Sequence, residues 1–167
     1  MSKIAKVKYN DIVDGEGICV SLWMQGCPHH CKDCFNPETW SPDEGYEITD
    51  DLIPNIISAI NANNVNRNFS VLGGEPFASY NRDFVLEVIS KVRETYPNIK
   101  IYIWSGYTIE ELLDMKSPVI DKILEKSNIL IDGPFQWDKK DITLKLRGSS
   151  NQRIIDLTKL KNYDIIK

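Results

Sequence analysis

Two rhythms of apolar residues run along the chain, one suited to strands and one to helices. Lys3 to Tyr9 and Ile18 to Met24 read as strands, joined by the glycine-rich, acidic turn Asp11-Ile12-Val13-Asp14-Gly15-Glu16-Gly17. From Ile53 the apolar positions fall at 53, 56, 57 and 60, which is helical spacing. Pro54 lacks an N–H and is harmless only in a first turn, so the N-cap is expected at Asp51. Asn68 to Leu72 forms a short strand running into Gly73-Gly74-Glu75-Pro76, and Phe84, Val85, Val88, Ile89 and Val92 make a second amphipathic helix, closed before Pro97. Ile99 to Trp104 is the next strand, ending in Ser105-Gly106-Tyr107. Thr108 and Glu111 form a capping box that opens a third helix, Pro118 to Lys126 a fourth, and Asn128 to Ile131 a strand ending at Asp132-Gly133-Pro134. In the tail, Ile142 to Leu146 and Arg153 to Ile155 read as strands around Gly148-Ser149-Ser150-Asn151.

Strands alternating with helices imply an α/β fold with a mainly parallel sheet and right-handed crossovers. A complete eightfold TIM barrel typically takes ~250 residues. The 167 residues here suit one domain over positions 1–167, folded as a partial, incomplete TIM-like βα barrel. The strand ends at Cys27, Gly73, Ser105 and Asp132 should lie along one edge, the usual address of a site in such a sheet.

Charge narrows the partners. Lys plus Arg number 20 against 24 Asp plus Glu, a formal charge of -4, and no block of like charge stands ready for a phosphate backbone, so nucleic-acid binding is disfavoured. No apolar run reaches membrane-spanning length, which points to a cytoplasmic protein with no membrane partner. In a reducing compartment, clustered cysteines read as metal-binding or redox-active rather than as disulfides.

Three of the four cysteines are clustered, as Cys27-x3-Cys31-x2-Cys34, in the loop after the second strand. A cubane iron-sulfur cluster takes one ligand per iron, so three thiolates would leave one iron open for chemistry. His29 and His30 offer an alternative, a structural zinc site of three cysteines and one histidine, although a fourth ligand within so short a loop would crowd the tetrahedron. Gly73 and Gly74 allow close approach of a ligand to the backbone, or serve simply as a tight turn. Cys19, inside a strand, reads as a small apolar side chain.

The cysteine spacing followed by Gly73-Gly74-Glu75-Pro76 resembles the radical S-adenosylmethionine superfamily. Gly26 to Cys31, Cys34 to Trp40, Asp132-Gly133-Pro134-Phe135 and Arg147 to Arg153 are similar to the family of activating proteins of anaerobic ribonucleoside-triphosphate reductase. The resemblance implies a radical SAM fold in which Cys27, Cys31 and Cys34 hold a [4Fe-4S] cluster whose fourth iron binds S-adenosylmethionine. Reductive cleavage would give a 5′-deoxyadenosyl radical that takes hydrogen from a glycine on the large subunit of the reductase, with a small protein such as flavodoxin as electron donor.

It further implies that Gly73, Gly74 and Glu75 meet the methionine ammonium, that Asp33, Cys34 and Phe35 line the adenosine, and that Ser105 and Asp132 contact its ribose or carboxylate. Many superfamily members carry an aromatic residue where this chain has Asp33, and Glu16 stands where the family usually has proline. Arg147 to Arg153 suits either docking of the reductase or an ordinary solvated turn. Two other readings remain at this stage: an activase of another glycyl-radical enzyme such as pyruvate formate-lyase, and a non-enzymatic zinc-binding interaction module.

Overall fold

The computed structural model describes residues 1–159; the last eight positions of the domain expected over 1–167 lie outside the described residues. Strand β1 (Lys3–Asp11) pairs antiparallel with β2 (Cys19–Met24), and a two-residue strand β3 (Tyr46–Glu47), too short to be read from the sequence, edges β1. Helix α1 (Leu52–Ile60), strand β4 (Asn68–Gly73), helix α2 (Arg82–Thr95) and strand β5 (Ile101–Trp104) follow. The chain then forms α3 (Ile109–Asp114), α4 (Pro118–Lys126), β6 (Ile129–Asp132) and β7 (Arg153–Asp156).

The seven strands make one sheet in the order β3-β1-β2-β4-β5-β6-β7. Its centre, β2-β4-β5-β6, is parallel, and β1, β3 and β7 join antiparallel. The fold is therefore mixed α/β around a central parallel sheet.

Alternation along each strand gives the sheet two different faces. Val20, Leu22, Met24, Phe69, Val71, Ile101, Ile103 and Leu130 share one face with the buried sides of all four helices, in a single apolar cluster. Each fully buried Ile or Leu contributes roughly 2 kcal/mol, so this side carries most of the stability. The opposite face presents Cys19, Ser21, Trp23, Ser70, Leu72, Tyr102 and Trp104. With both faces of β2 covered, all six of its residues are buried, which explains its nearly continuous apolar run.

Local signals hold at the helix ends. Thr108 accepts a hydrogen bond from Glu111 N while the Glu111 side chain accepts from Thr108 N, completing the capping box, and α4 begins at Pro118 as its sequence suggests. Asp51 does occupy the N-cap of α1, but its carboxylate makes no cap bond and is engaged by Thr49 Oγ1 instead. The strand expected over Ile142 to Leu146 does not form. Asp141 Oδ1 accepts from both the backbone N and the Oγ1 of Thr143, Leu144 N donates to Asp141 O, and Leu146 takes φ +62°, so local turns replace extended chain.

Candidate metal centre

Residues 26–40 leave the end of β2 and return to it. Gly26 N donates to Thr39 O at 2.7 Å and Cys27 N to Trp40 O at 3.0 Å, and the Gln25 amide holds the carbonyls of Glu38 and Ser41. Inside this closed loop, His30 and Asp33 adopt the left-handed region (φ +47° and +57°), uncommon without glycine, and Cys34 N donates to Cys31 O. His30 stacks on Trp40 with ring centroids 4.7 Å apart.

Cys27, Cys31 and Cys34 are partly buried free thiols, and backbone N–H groups point at all three sulfurs. His29 and His30 supply them to Cys27, Phe135 to Cys31, and Asn36 to Cys34 at 3.4 Å. Burial pushes the Cys27 thiol up to about 11 and raises that of Cys31, while these N–H groups work in the other direction. Metal binding must therefore expel protons, and the amides then stabilise the resulting thiolates. Among the described residues no three Cys, His, Asp or Glu side chains form a group that could hold a metal ion. A cube takes each thiolate on a separate iron and spreads them apart, and N–H groups aimed at sulfur suit it. The donor set fits such a cluster.

The glycine doublet at the end of β4 packs directly against this loop. Gly74 N donates to Met24 O and Glu75 N to Gly26 O, and a Cβ on Gly74 would stand 2.2 Å from Gly26 O. Gly73, at φ +104°, would press a Cβ onto the Met24 backbone. Inside the protein, the missing side chains let two backbones meet.

Glu75 is fully buried. Its Oε1 accepts from Phe77 N at 3.0 Å and Ser105 Oγ at 2.9 Å, and its Oε2 from Gly106 N at 2.8 Å and His29 Nε2 at 2.7 Å. One carboxylate thus ties the cysteine loop to the ends of β4 and β5. The His29 ring lies against Gly106, where a Cβ would approach within 2.5 Å, and meets Tyr107 edge-on. Ser105 belongs to this knot. Asp132, also buried, accepts from Ile109 N at the start of α3 and from two nitrogens of Arg153, which also grips Glu110.

The opposite sheet face opens into a cavity of about 350 Å³ lined by Trp23, Cys34, Phe35, Gly73 and Trp104, with Asp14 and Arg147 also in its wall. Phe35 is 55% exposed and leans on Phe135 at 4.8 Å, whereas Asp33 sits exposed on the loop. The cavity therefore gathers Cys34, Phe35 and Gly73, while Glu75 and Ser105 stand in the knot beside it and Asp132 faces Arg153 and α3. Asp14 was not singled out by sequence. Burial, then the neighbouring Asp11, push its carboxyl up to about 7. Burial also acts upward on Asp11, but hydrogen bonds from Asp14, Ser21 and the N–H groups of Val13 and Asp14 outweigh it and hold Asp11 down near about 2. The three-residue spacing of these acids in a glycine-rich turn was the available signal.

The loop leaving the parallel sheet at β2 carries three partly buried free thiols, and the family model described as "4Fe-4S single cluster domain" matches residues 13–155, which makes this an iron-sulfur domain. The anaerobic ribonucleoside-triphosphate reductase-activating protein of Escherichia coli is 36% identical over 143 residues, covering 85% of this chain and 90% of that protein. Its counterpart in Vibrio cholerae is 34% identical over 145 residues (86% and 91%), and that of Pasteurella multocida 33% over 150 residues (89% and 93%). The chain belongs to the family of anaerobic ribonucleoside-triphosphate reductase-activating proteins. Among the described residues, no helix is long and apolar enough to cross a membrane.

Proposed function

We propose that this chain is a radical S-adenosylmethionine activase, a single domain over 1–167 whose sheet is an incomplete TIM-like barrel with the cavity on its inner side. The observation that carries the reading is the loop in which backbone N–H groups address the sulfurs of Cys27, Cys31 and Cys34, the residues that would hold the [4Fe-4S] cluster. Bound there and reduced, the cluster would supply the electron for reductive cleavage of S-adenosylmethionine, the chemistry by which hydrogen would be taken from a glycine of the reductase.

The protein's own residues do the rest. Asp33, Cys34 and Phe35 line the adenosine side, and Gly73 and Gly74 offer backbone carbonyls to the methionine ammonium. Glu75 holds the cysteine loop in register through His29, with Ser105 fixing the Glu75 rotamer. Asp132, by contrast, serves the fold through Arg153 and α3. The aromatic walls of Trp23, Trp104 and Phe135 keep water from the reacting atoms. The partners are the anaerobic ribonucleoside-triphosphate reductase, after which the relatives are named, through its large subunit, and a small electron donor such as flavodoxin, in the cytoplasm.

Anaerobically reconstituted protein is expected to hold about four irons per chain and, once reduced, to convert S-adenosylmethionine to 5′-deoxyadenosine and methionine. Cys31→Ala should abolish the cleavage. An unchanged cleavage rate in that variant, measured by chromatography of the products, contradicts the proposal.

A further inference from the structure

The segment from Gln136 to Ser150 lies against the cysteine loop. Gln136 N donates to Ser149 Oγ at 3.2 Å, Asp141 N to Gly148 O at 3.1 Å and Ser150 N to Lys139 O at 2.9 Å, so its two limbs are tied across. A Cβ on Gly148 would stand 2.9 Å from the ring of Phe35, the residue that directly follows Cys34.

Two rings on this flank hold one cation between them. Lys140 Nζ lies 4.5 Å from the centre of the Trp137 ring and 5.4 Å from that of Phe35. Phe35 and Trp137 are 55% and 50% exposed, and Ile142, two positions beyond Lys140, is 84% exposed. Exposed apolar side chains gathered on a firmly built segment mark a surface that meets another protein.

Charge says which kind of protein. Positions 137–147 carry Lys139, Lys140, Lys145 and Arg147 against Asp138 and Asp141, an excess of positive charge in a chain whose formal charge is -4. Asp141 turns its carboxylate back onto Thr143. Lys32, Lys139, Lys140 and Lys145 are all exposed, and among the described residues none of them forms a salt bridge. The fold leaves these cations unneutralised, and their complement is an acidic surface. Position says what that acidic protein brings: Phe35 is one peptide bond from Cys34, so a protein seated on it lies beside the loop where an electron must enter. A small, charge-steered contact suits electron carriers, whose brief encounters bury less than about 1,200 Å².

We propose that Lys140, cradled by Trp137 and Phe35, is the centre of the docking surface for the electron donor, a small low-potential flavoprotein with an acidic face. One electron leaves its anionic flavin hydroquinone, which becomes the neutral semiquinone, and enters the oxidised cluster, which is reduced by one electron. This rests on the function proposed above and deepens it by naming where the donor binds.

The test titrates flavodoxin, by calorimetry at low ionic strength, against reconstituted wild type, Lys140→Glu and Lys122→Glu, the last a charge-matched control at an exposed position of α4. Stopped-flow absorbance then follows cluster reduction by flavodoxin hydroquinone and, separately, by dithionite. Lys140→Glu is expected to raise the flavodoxin Kd about tenfold and to slow reduction by subsaturating flavodoxin in the same ratio, with iron content and the dithionite rate within about twofold of wild type. Lys122→Glu should match wild type throughout. A Lys140→Glu variant that behaves as Lys122→Glu overturns the surface, as does wild type to which flavodoxin does not bind. Equal slowing with dithionite overturns it too, because the cluster itself would then have changed. So does an unchanged flavodoxin Kd with a raised half-saturation by the reductase large subunit, which would give the patch to the reductase. Wild type that loads no cluster, or that leaves S-adenosylmethionine intact once reduced by dithionite, overturns instead the function on which the surface rests.

Discussion

Glu75 shows how much one side chain can organise. With four donors converging on two oxygens and no exposure, its carboxylate is matched on every side. Glu75→Gln turns one oxygen into an amide that must face N–H or O–H donors. A buried clash of this kind costs about 3 kcal/mol, to be read as a lowered denaturant midpoint of the metal-free protein. A midpoint equal to wild type would mean that the knot is not what holds the cysteine loop. Asp14 makes a prediction in pH. Its folded pKa lies above the unfolded value, so the folded state binds the extra proton and stability falls as pH rises from about 4 to about 7. Lys6 and Lys8 oppose the shift, and Asp11 and burial sustain it. Asp14→Asn should flatten that slope in thermal melts and exceed wild type above pH 7.

At the scale of elements, the glycine doublet after β4 joins two strand ends. Gly74→Ala would drive a methyl into the Gly26 carbonyl, which is backbone and cannot swing aside, so a loss of at least about 3 kcal/mol and failure to retain iron are expected. Iron content equal to wild type would show that the loop can open there without consequence. These elements also show what the sequence could and could not reveal. Capping chemistry is local, and the Thr108 box and the Pro118 start of α4 were legible from a few residues. The need for glycine at 73 and 74 was legible too, but not that Gly26 is the neighbour that demands it, because pairing across 48 positions leaves no local trace. The segment 142–146 looked extended by its apolar content, and Asp141 overrode that with its own hydrogen bonds. β3, only two residues long, had no pattern to read.

The whole molecule divides its work between the two faces of one sheet. The helix-covered face holds the large apolar cluster and the other face collects polar groups, two tryptophans and the cysteine loop, so that stability and chemistry draw on different side chains. The common edge was legible at this scale because the parallel strand ends fall in register, Met24 beside Gly73 and Trp104 beside Ile131, and place their loops on one side. The hydrogen-bond partners of Ser105, Glu75 and Asp132 were not, since each depends on which donor lies nearest in three dimensions. The central claim is that three thiolates leave one iron free for S-adenosylmethionine. The direct measurement is the electron paramagnetic resonance spectrum of the reduced, reconstituted protein before and after adding that molecule. The account predicts a reduced [4Fe-4S] signal whose g values shift on addition; a signal left unchanged by saturating S-adenosylmethionine, or a colourless protein carrying one zinc, contradicts it.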